Sequence, residues 1–593
     1  MPTLLAFSPV LHPRPNASPG LAASSLSGLL YAALACLVLW PLPAQLSSSI
    51  ALGTEEVSTV PFAMAWSFWW QSDRLAHGLA EFWQAPIFFP TPATFALSET
   101  NTLGGMLMAP LVLLSGSTAL GYNLFLLLAL TLNGFSASRL LMAWGASPGV
   151  GHLAGAAMLL LPLPLQEIGV LPLVSVFGVI WSLHAVWRWR EKPSPGNAAL
   201  VGLSLAATYL LCFQYALFLA IVLVSLGWLF LDRRHIRPRP LATVVLAAVL
   251  AGAAVGPVVF AQVNSVTEDA GFVRKRGKVD KLAAKPRHFI RTPWKQAVSP
   301  PGIAVAKKPG WKAYFPGTAR VLLALLGLVW ALSLPRAARI GWFLGGGALF
   351  AYAMALGPNL EVAGANVWEL MAEFVPGYGK VRSVNRWAVF VQLFVVLLAG
   401  FGLQSIADRI AGRPPQGEDG GRVPARGAPR RAAQAAFVVL AALCVAEMLP
   451  AAQTLVPAPS LERNAGWGDW IRTNTPEEAV LAFLPFSDGG DVSEYESDAE
   501  KMMLSGVFRR RMVNGYSSFF PKPFRALKKS LKEFPDVESV NALRDIGVTH
   551  VVVQEEAHPE HLIMDYPAVA AAMQPVYRDP AVGLTVYELR PRP

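Results

Sequence analysis

Residues 41–100 read PLPAQLSSSIALGTEEVSTVPFAMAWSFWWQSDRLAHGLAEFWQAPIFFPTPATFALSET. This polar stretch stands between apolar runs and carries Glu55, Glu56, Asp73, Arg74, His77, Glu81 and Glu99. It also carries Trp66, Trp69, Trp70 and Trp83. Indole rings favour the headgroup layer of a bilayer. Acids interleaved with such rings therefore mark a site at a membrane surface. An acid pair such as Glu55–Glu56 can take a proton or orient a polar substrate there.

Outward from this stretch, the 593-residue chain is 54% hydrophobic and only 15% charged. Soluble domains carry about 25% charged residues. Apolar runs long enough to cross a bilayer recur from Leu26 to Pro450. Twelve candidates fall near 26–42, 103–117, 119–141, 149–165, 169–188, 197–213, 214–231, 240–262, 319–335, 339–357, 386–406 and 433–453. Cys36, Cys212 and Cys444 all lie inside such runs, so neither a disulfide framework nor a zinc pattern is available. The expected class is an all-α polytopic membrane domain of about 11–12 segments, followed by a soluble α/β domain.

Short basic loops orient the runs. RWREK at 188–192, DRRHIRPR at 232–239, PRAAR at 335–339 and the Arg-rich 409–431 segment are expected in the cytoplasm. The loops 43–100 and 263–318 and the tail from 456 are then expected outside. Four runs separate the first loop from RWREK, whereas an odd number is needed. The run 103–117, short and holding Gly104, Gly105 and Pro110, is expected to be re-entrant. Residues 1–25 form a lead, 26–455 the membrane domain, 407–432 a cytoplasmic linker, and 456–593 an extracytoplasmic domain.

In that tail AVLAFLP (479–485), HVVVQE (550–555) and LTVYEL (584–589) read as strands. The stretches 495–507, 522–533 and 537–546 read as helices. The tail holds 15 Lys and Arg against 20 Asp and Glu, while the rest of the chain holds 34 against 18. The basic residues flank apolar runs, so anionic lipid rather than nucleic acid is their partner. A second constellation is VPGYGKVRSVNRWAVF at 375–390. It gathers Lys380, Arg382 and Arg386 at one edge of an apolar run, as phosphate recognition requires. Nucleotide-binding, metalloprotease and nucleophile-elbow signatures are absent from the sequence.

The order of GTEEVST, AMAWSFWW, IFFPTPATFALSE and the MAPLVLL–GYNLFLLL run resembles the bacterial GT-C-type membrane glycosyltransferases. PGYGKVRSVNRW and the soluble tail are similar to features of the same family. The resemblance implies a polyprenyl-phosphate-linked sugar as donor. It implies an envelope glycan, lipid or protein as acceptor, with reaction at the outer face of a bacterial cytoplasmic membrane. It places the loop acid as base or acceptor-orienting group. That position holds Glu55–Glu56 here instead of the usual Asp. Asp73, His77 and Glu99 are further loop-site candidates, and Lys380, Arg382 and Arg386 the phosphate-binding ones. No organic cofactor is implied, and a divalent metal is left open. Two other readings stay open: a transporter or flippase of a lipid-linked or polar solute, and a non-catalytic envelope-assembly protein.

Overall fold

The computed structural model describes residues 21–267, 276–294, 303–306, 312–335, 337–411 and 430–591. Most of the 1–25 lead, most of the 407–432 linker and parts of the 263–318 loop lie outside the described residues. Among the described residues, five helices are long and apolar enough to cross a membrane: Thr118–Ala143, Phe213–Phe230, Pro238–Ser265, Ala338–Asn359 and Val384–Ile410. Five shorter apolar helices are Ser24–Val38, Thr102–Ser115, Pro195–Leu211, Thr318–Ser333 and Ala432–Ala446. The run expected at 149–165 is broken into Pro148–Leu159 and Pro162–Gln166, because Pro162 and Pro164 lack the N–H a continuous helix needs. The run at 103–117 gives only 14 residues, Thr102–Ser115. At about 1.5 Å per residue this is shorter than a hydrocarbon core of about 30 Å.

The chain divides into two compact units. The first comprises residues 1–43, 126–255 and 273–453. Its centre is the helix Ala388–Ile410, buried along nearly its whole length. Helix Thr318–Ser333 lies backbone to backbone against it. A Cβ on Gly327 would sit 2.0 Å from the Leu398 carbonyl oxygen, and one on Gly402 would sit 2.0 Å from that of Leu323. Small residues permit such approach where apolar burial alone gives helices little reason to associate.

Irregular backbone in this unit is held by side chains. Asn133 Nδ2 donates to Val174 O at 2.8 Å, and its Oδ1 accepts from Phe177 N at 2.7 Å. Gln392 accepts from Leu163 N at 3.0 Å and donates to Tyr314 O. Gln404 accepts from Ser147 N at 2.8 Å. Arg320, fully buried, donates to Leu160 O and Cys444 O. Its charge faces Glu447, whose carboxylate accepts from the Ala319 and Arg320 amides at 3.0 Å and so caps helix Thr318–Ser333. Glu447 is thus a buried structural carboxyl.

The second unit comprises residues 44–125, 256–272 and 454–593. Its five-stranded sheet runs Met573–Asp579, Leu584–Leu589, His550–Gln554, Val480–Leu484, Arg511–Met512. The last three are mutually parallel where they pair, and the first two add antiparallel at the other edge. Every residue of Val480–Leu484 is buried, as expected of a central strand covered on both faces. The helices Glu496–Met503, Lys522–Ser530 and Val537–Asp545 fall within the sequence-expected stretches.

The same unit takes in the first loop. Strand Ser49–Ala51 pairs antiparallel with Leu455–Pro457. Phe88 N donates to Asn514 O, Phe89 N to Met512 O, and Met512 N to Pro86 O. Residues 86–89 therefore cover the sheet edge at Arg511–Met512, an edge that would otherwise expose unpaired amides. The Phe88 ring packs edge-on against Phe524 at 4.9 Å. Residues 44–125 supply part of the wall of what the sequence delimits as a domain at 456–593.

Two outcomes follow. Gly402→Ala places a methyl into the Leu323 backbone and is expected to cost about 2–3 kcal/mol, read as a lowered melting temperature in detergent. A fragment starting at Thr454 without residues 44–125 is expected to self-associate through its uncovered edge. Sedimentation of the fragment as a stable monomer would argue that the edge protects itself.

Candidate functional site

In the second unit, the acid pair sits on a turn pinned at both ends. Asn123 Nδ2 bonds the carbonyls of Leu46 and Ser49 at 2.8 and 2.7 Å. Leu52 N donates to Thr454 O, and Glu55 N to Leu52 O. Beyond the turn, Ser58 N and Oγ both donate to Glu496 at 2.8 and 2.6 Å, and Thr59 Oγ1 donates to Val492 O. This Ser58–Glu496 pairing fixes the start of helix Thr59–Ala76 without a side-chain cap of its own. Glu55 is half-buried and Glu56 exposed. The charge of Glu55 acts on Tyr122, a fully buried phenol whose hydroxyl has no partner among the described residues.

The other loop candidates separate. Asp73 is buried and committed to cations. It accepts from Arg74 Nε at 3.0 Å and from Arg74 Nη2, with Arg509 Nη1 at 3.5 Å and His77 Nδ1 at 3.7 Å. His77 is exposed, and its Nδ1 lies 2.7 Å from Asp73 O at the helix end. Arg74 stacks over Trp70 at 4.5 Å. Asp73 and His77 thus close a helix C-terminus. Glu99 is half-buried beside Trp66 and Phe95.

A further carboxyl of this unit, unforeseen in sequence, is Asp498. It accepts from Ser487 Oγ at 2.9 Å and Asn514 Nδ2 at 2.8 Å. Burial pushes its pKa up to about 6 in spite of these bonds.

The three cations belong to the first unit and do not act alike. Lys380 and Arg382 are exposed. Arg386 is turned inward, with Nη1 donating to Gln214 Oε1 at 2.8 Å and Nη2 3.6 Å from Glu167 Oε2. Next to it, Asn385 Nδ2 donates to the Tyr314 hydroxyl at 2.8 Å. Trp387 stacks on Phe218 at 4.1 Å and holds the turn against the bundle. Glu167 and Tyr314 were not anticipated from sequence. The signal for Glu167 was present: a lone acid inside LPLPLQEIGV requires a cation. Among the described residues no group of three or more His, Cys, Asp or Glu is placed to hold a metal ion.

No family model matches the chain, and no curated protein matches it. Solved structures do. The mycobacterial arabinofuranosyltransferase AftD aligns over 96% of this chain with a TM-score of 0.55 and 13% identity. The chain spans only 40% of that protein's length. The Archaeoglobus fulgidus oligosaccharyltransferase, solved tethered to an acceptor peptide, aligns over 96% of this chain and 74% of its own. Its TM-score is 0.51 at 11% identity. At 11–13% identity the likeness to these enzymes is one of fold, and the chain resembles, remotely and by fold, the GT-C-type membrane glycosyltransferases.

Proposed function

We propose that this protein is an integral membrane glycosyltransferase. It moves a sugar from a polyprenyl-phosphate donor to an envelope glycan, lipid or protein acceptor at the outer face of the cytoplasmic membrane. The observation that carries this reading is the doubly pinned turn that presents a half-buried Glu55. A base must be held still before it can act, and Thr454 and Glu496 hold the two ends of this turn.

In the proposed reaction the acceptor hydroxyl oxygen attacks the anomeric carbon. The bond from that carbon to the phosphate oxygen breaks, and the lipid phosphate leaves with the bonding pair. Glu55 takes the hydroxyl proton. Glu56, exposed on the same turn, is not given the base role in this reading. Asp73 is not given the base role either, since Arg74 and Arg509 both lie against its carboxylate. Arg386 supplies a planar fork for phosphate oxygens, which would compete with Glu167 for it. Lys380 and Arg382 add exposed positive charge on the same short segment.

Glu55→Gln is expected to lower turnover by about 10²–10⁴-fold with normal membrane insertion, and Glu56→Gln to be nearly silent. The measurement is transfer from a polyprenyl-phosphate sugar by purified protein, alongside the envelope glycans of a strain carrying each variant. Full activity in Glu55→Gln would overturn the assignment. Arg386→Lys keeps the charge but loses the fork, and is expected to raise KM for the lipid-linked donor about tenfold with a smaller change in kcat. An unchanged KM with a lowered melting temperature would make Arg386 a helix anchor only.

A further inference from the structure

A recess in the second unit is lined by Trp66, Phe95, Glu99, Met502, Tyr516 and Ser517, among others. Its volume is about 30 Å³. One water needs roughly 10–15 Å³, so there is room for two small groups and not for a sugar ring. Most polar atoms on its walls are already used. Ser67 Oγ donates to Met64 O, Thr94 Oγ1 to Ala85 O, and Thr100 Oγ1 bonds Thr102 Oγ1. Two are not. Trp66 Nε1 and Ser517 Oγ are buried, in residues 4% and 5% exposed, and neither finds a partner among the described residues.

A buried polar atom without a partner needs an explanation, and two of them on one recess point to a polar group bound there. The indole N–H can only donate, while the serine hydroxyl donates and accepts. Around them stand carbon walls: Ala63, Ile87, Phe95 and Met502. A lone water seeks about three polar partners and gains nothing from such walls. A primary alcohol group fits better. Its oxygen would accept from Trp66 Nε1 and donate to Ser517 Oγ, and its methylene would lie against the Phe95 and Met502 walls.

We infer that this recess is a subsite for the hydroxymethyl group of a sugar, with the ring left outside beside Glu99. The inference rests on the glycosyltransferase reading for the class of ligand, an envelope sugar that carries a CH₂OH arm. The site would favour hexoses over 6-deoxyhexoses and pentopyranoses, because those sugars lack the group that reaches the two unpaired atoms. Trp66 and Ser517 are specificity-determining residues in this account.

The test is direct binding to the full chain in detergent, read by saturation-transfer NMR titration. The probes are methyl glycosides of glucose, galactose and mannose, each beside its 6-deoxy counterpart, together with methyl xyloside. At least one hexoside is expected to bind about tenfold more tightly than its own 6-deoxy form, the effect of one or two hydrogen bonds. Trp66→Phe, which keeps the ring and removes the N–H, should abolish that preference. Ser517→Ala should reduce it, and serves as the second variant if Trp66→Phe fails to fold. No preference within any pair would show that the recess holds water only and would overturn the inference. A preference that survives both variants would also overturn it. Retained preference in a chain that transfers no sugar would sink the enzymatic reading and leave the subsite standing.

Discussion

Backbone amides and carbonyls in apolar surroundings have no water to turn to, so a broken helix there must be mended by side chains. The first unit is built on that constraint. Between Leu159 and Phe177 the chain changes direction several times through Pro162, Pro164 and Pro172. The freed groups are taken up by Asn133, Gln392 and Arg320 from other helices. Each of these side chains is buried. Removing one would leave a buried donor or acceptor bare, at a cost of about 1–3 kcal/mol. The irregular segment is therefore a fixed part of the scaffold. It positions Glu167, which in turn meets Arg386.

Arg320 and Glu447 extend the same logic to charge. A buried arginine costs least when its charge is faced and its donors are occupied. Here Nε and Nη1 meet two carbonyls and the Glu447 carboxylate stands 3.9 Å from Nε, while Nη2 finds no partner among the described residues. Gly317 has φ +115°, and a Cβ on it would lie 2.2 Å from Glu447 Oε1. The close approach of this carboxylate to the helix start depends on glycine at that position. This buried pair does structural work, and it leaves Arg386 as the inward-turned arginine beside exposed Lys380 and Arg382 on the segment proposed to meet phosphate.

In the second unit the corresponding constraint is the open edge of a sheet. Residues 86–89 cover it, and strand Ser49–Ala51 joins the beginning of the tail. These contacts do more than stabilise. They bring Thr454 and Glu496 to the two ends of the turn that carries Glu55 and Glu56. They also place Ser517 on the same recess as Trp66. Residues distant in sequence thereby come to share one wall.

The sequence by itself determined the class of each part. Apolar runs of helical length declare a membrane bundle, and the tail's short strands alternating with amphipathic helices declare an α/β sheet. Those signals are periodic and local, so they survive without knowledge of neighbours. The first loop was legible as a place where acids and indoles gather. What each acid does was not. Asp73 is held by Arg74 and Arg509, Glu55 is half-buried where Glu56 is exposed, and Arg386 finds Glu167 and Gln214. The two-residue strand Arg511–Met512 was equally silent, being too short to show a period. Only the tertiary structure decided these matters, because an ion pair or a strand pairing is chosen by which segments pack together, and no local pattern in the chain encodes that choice.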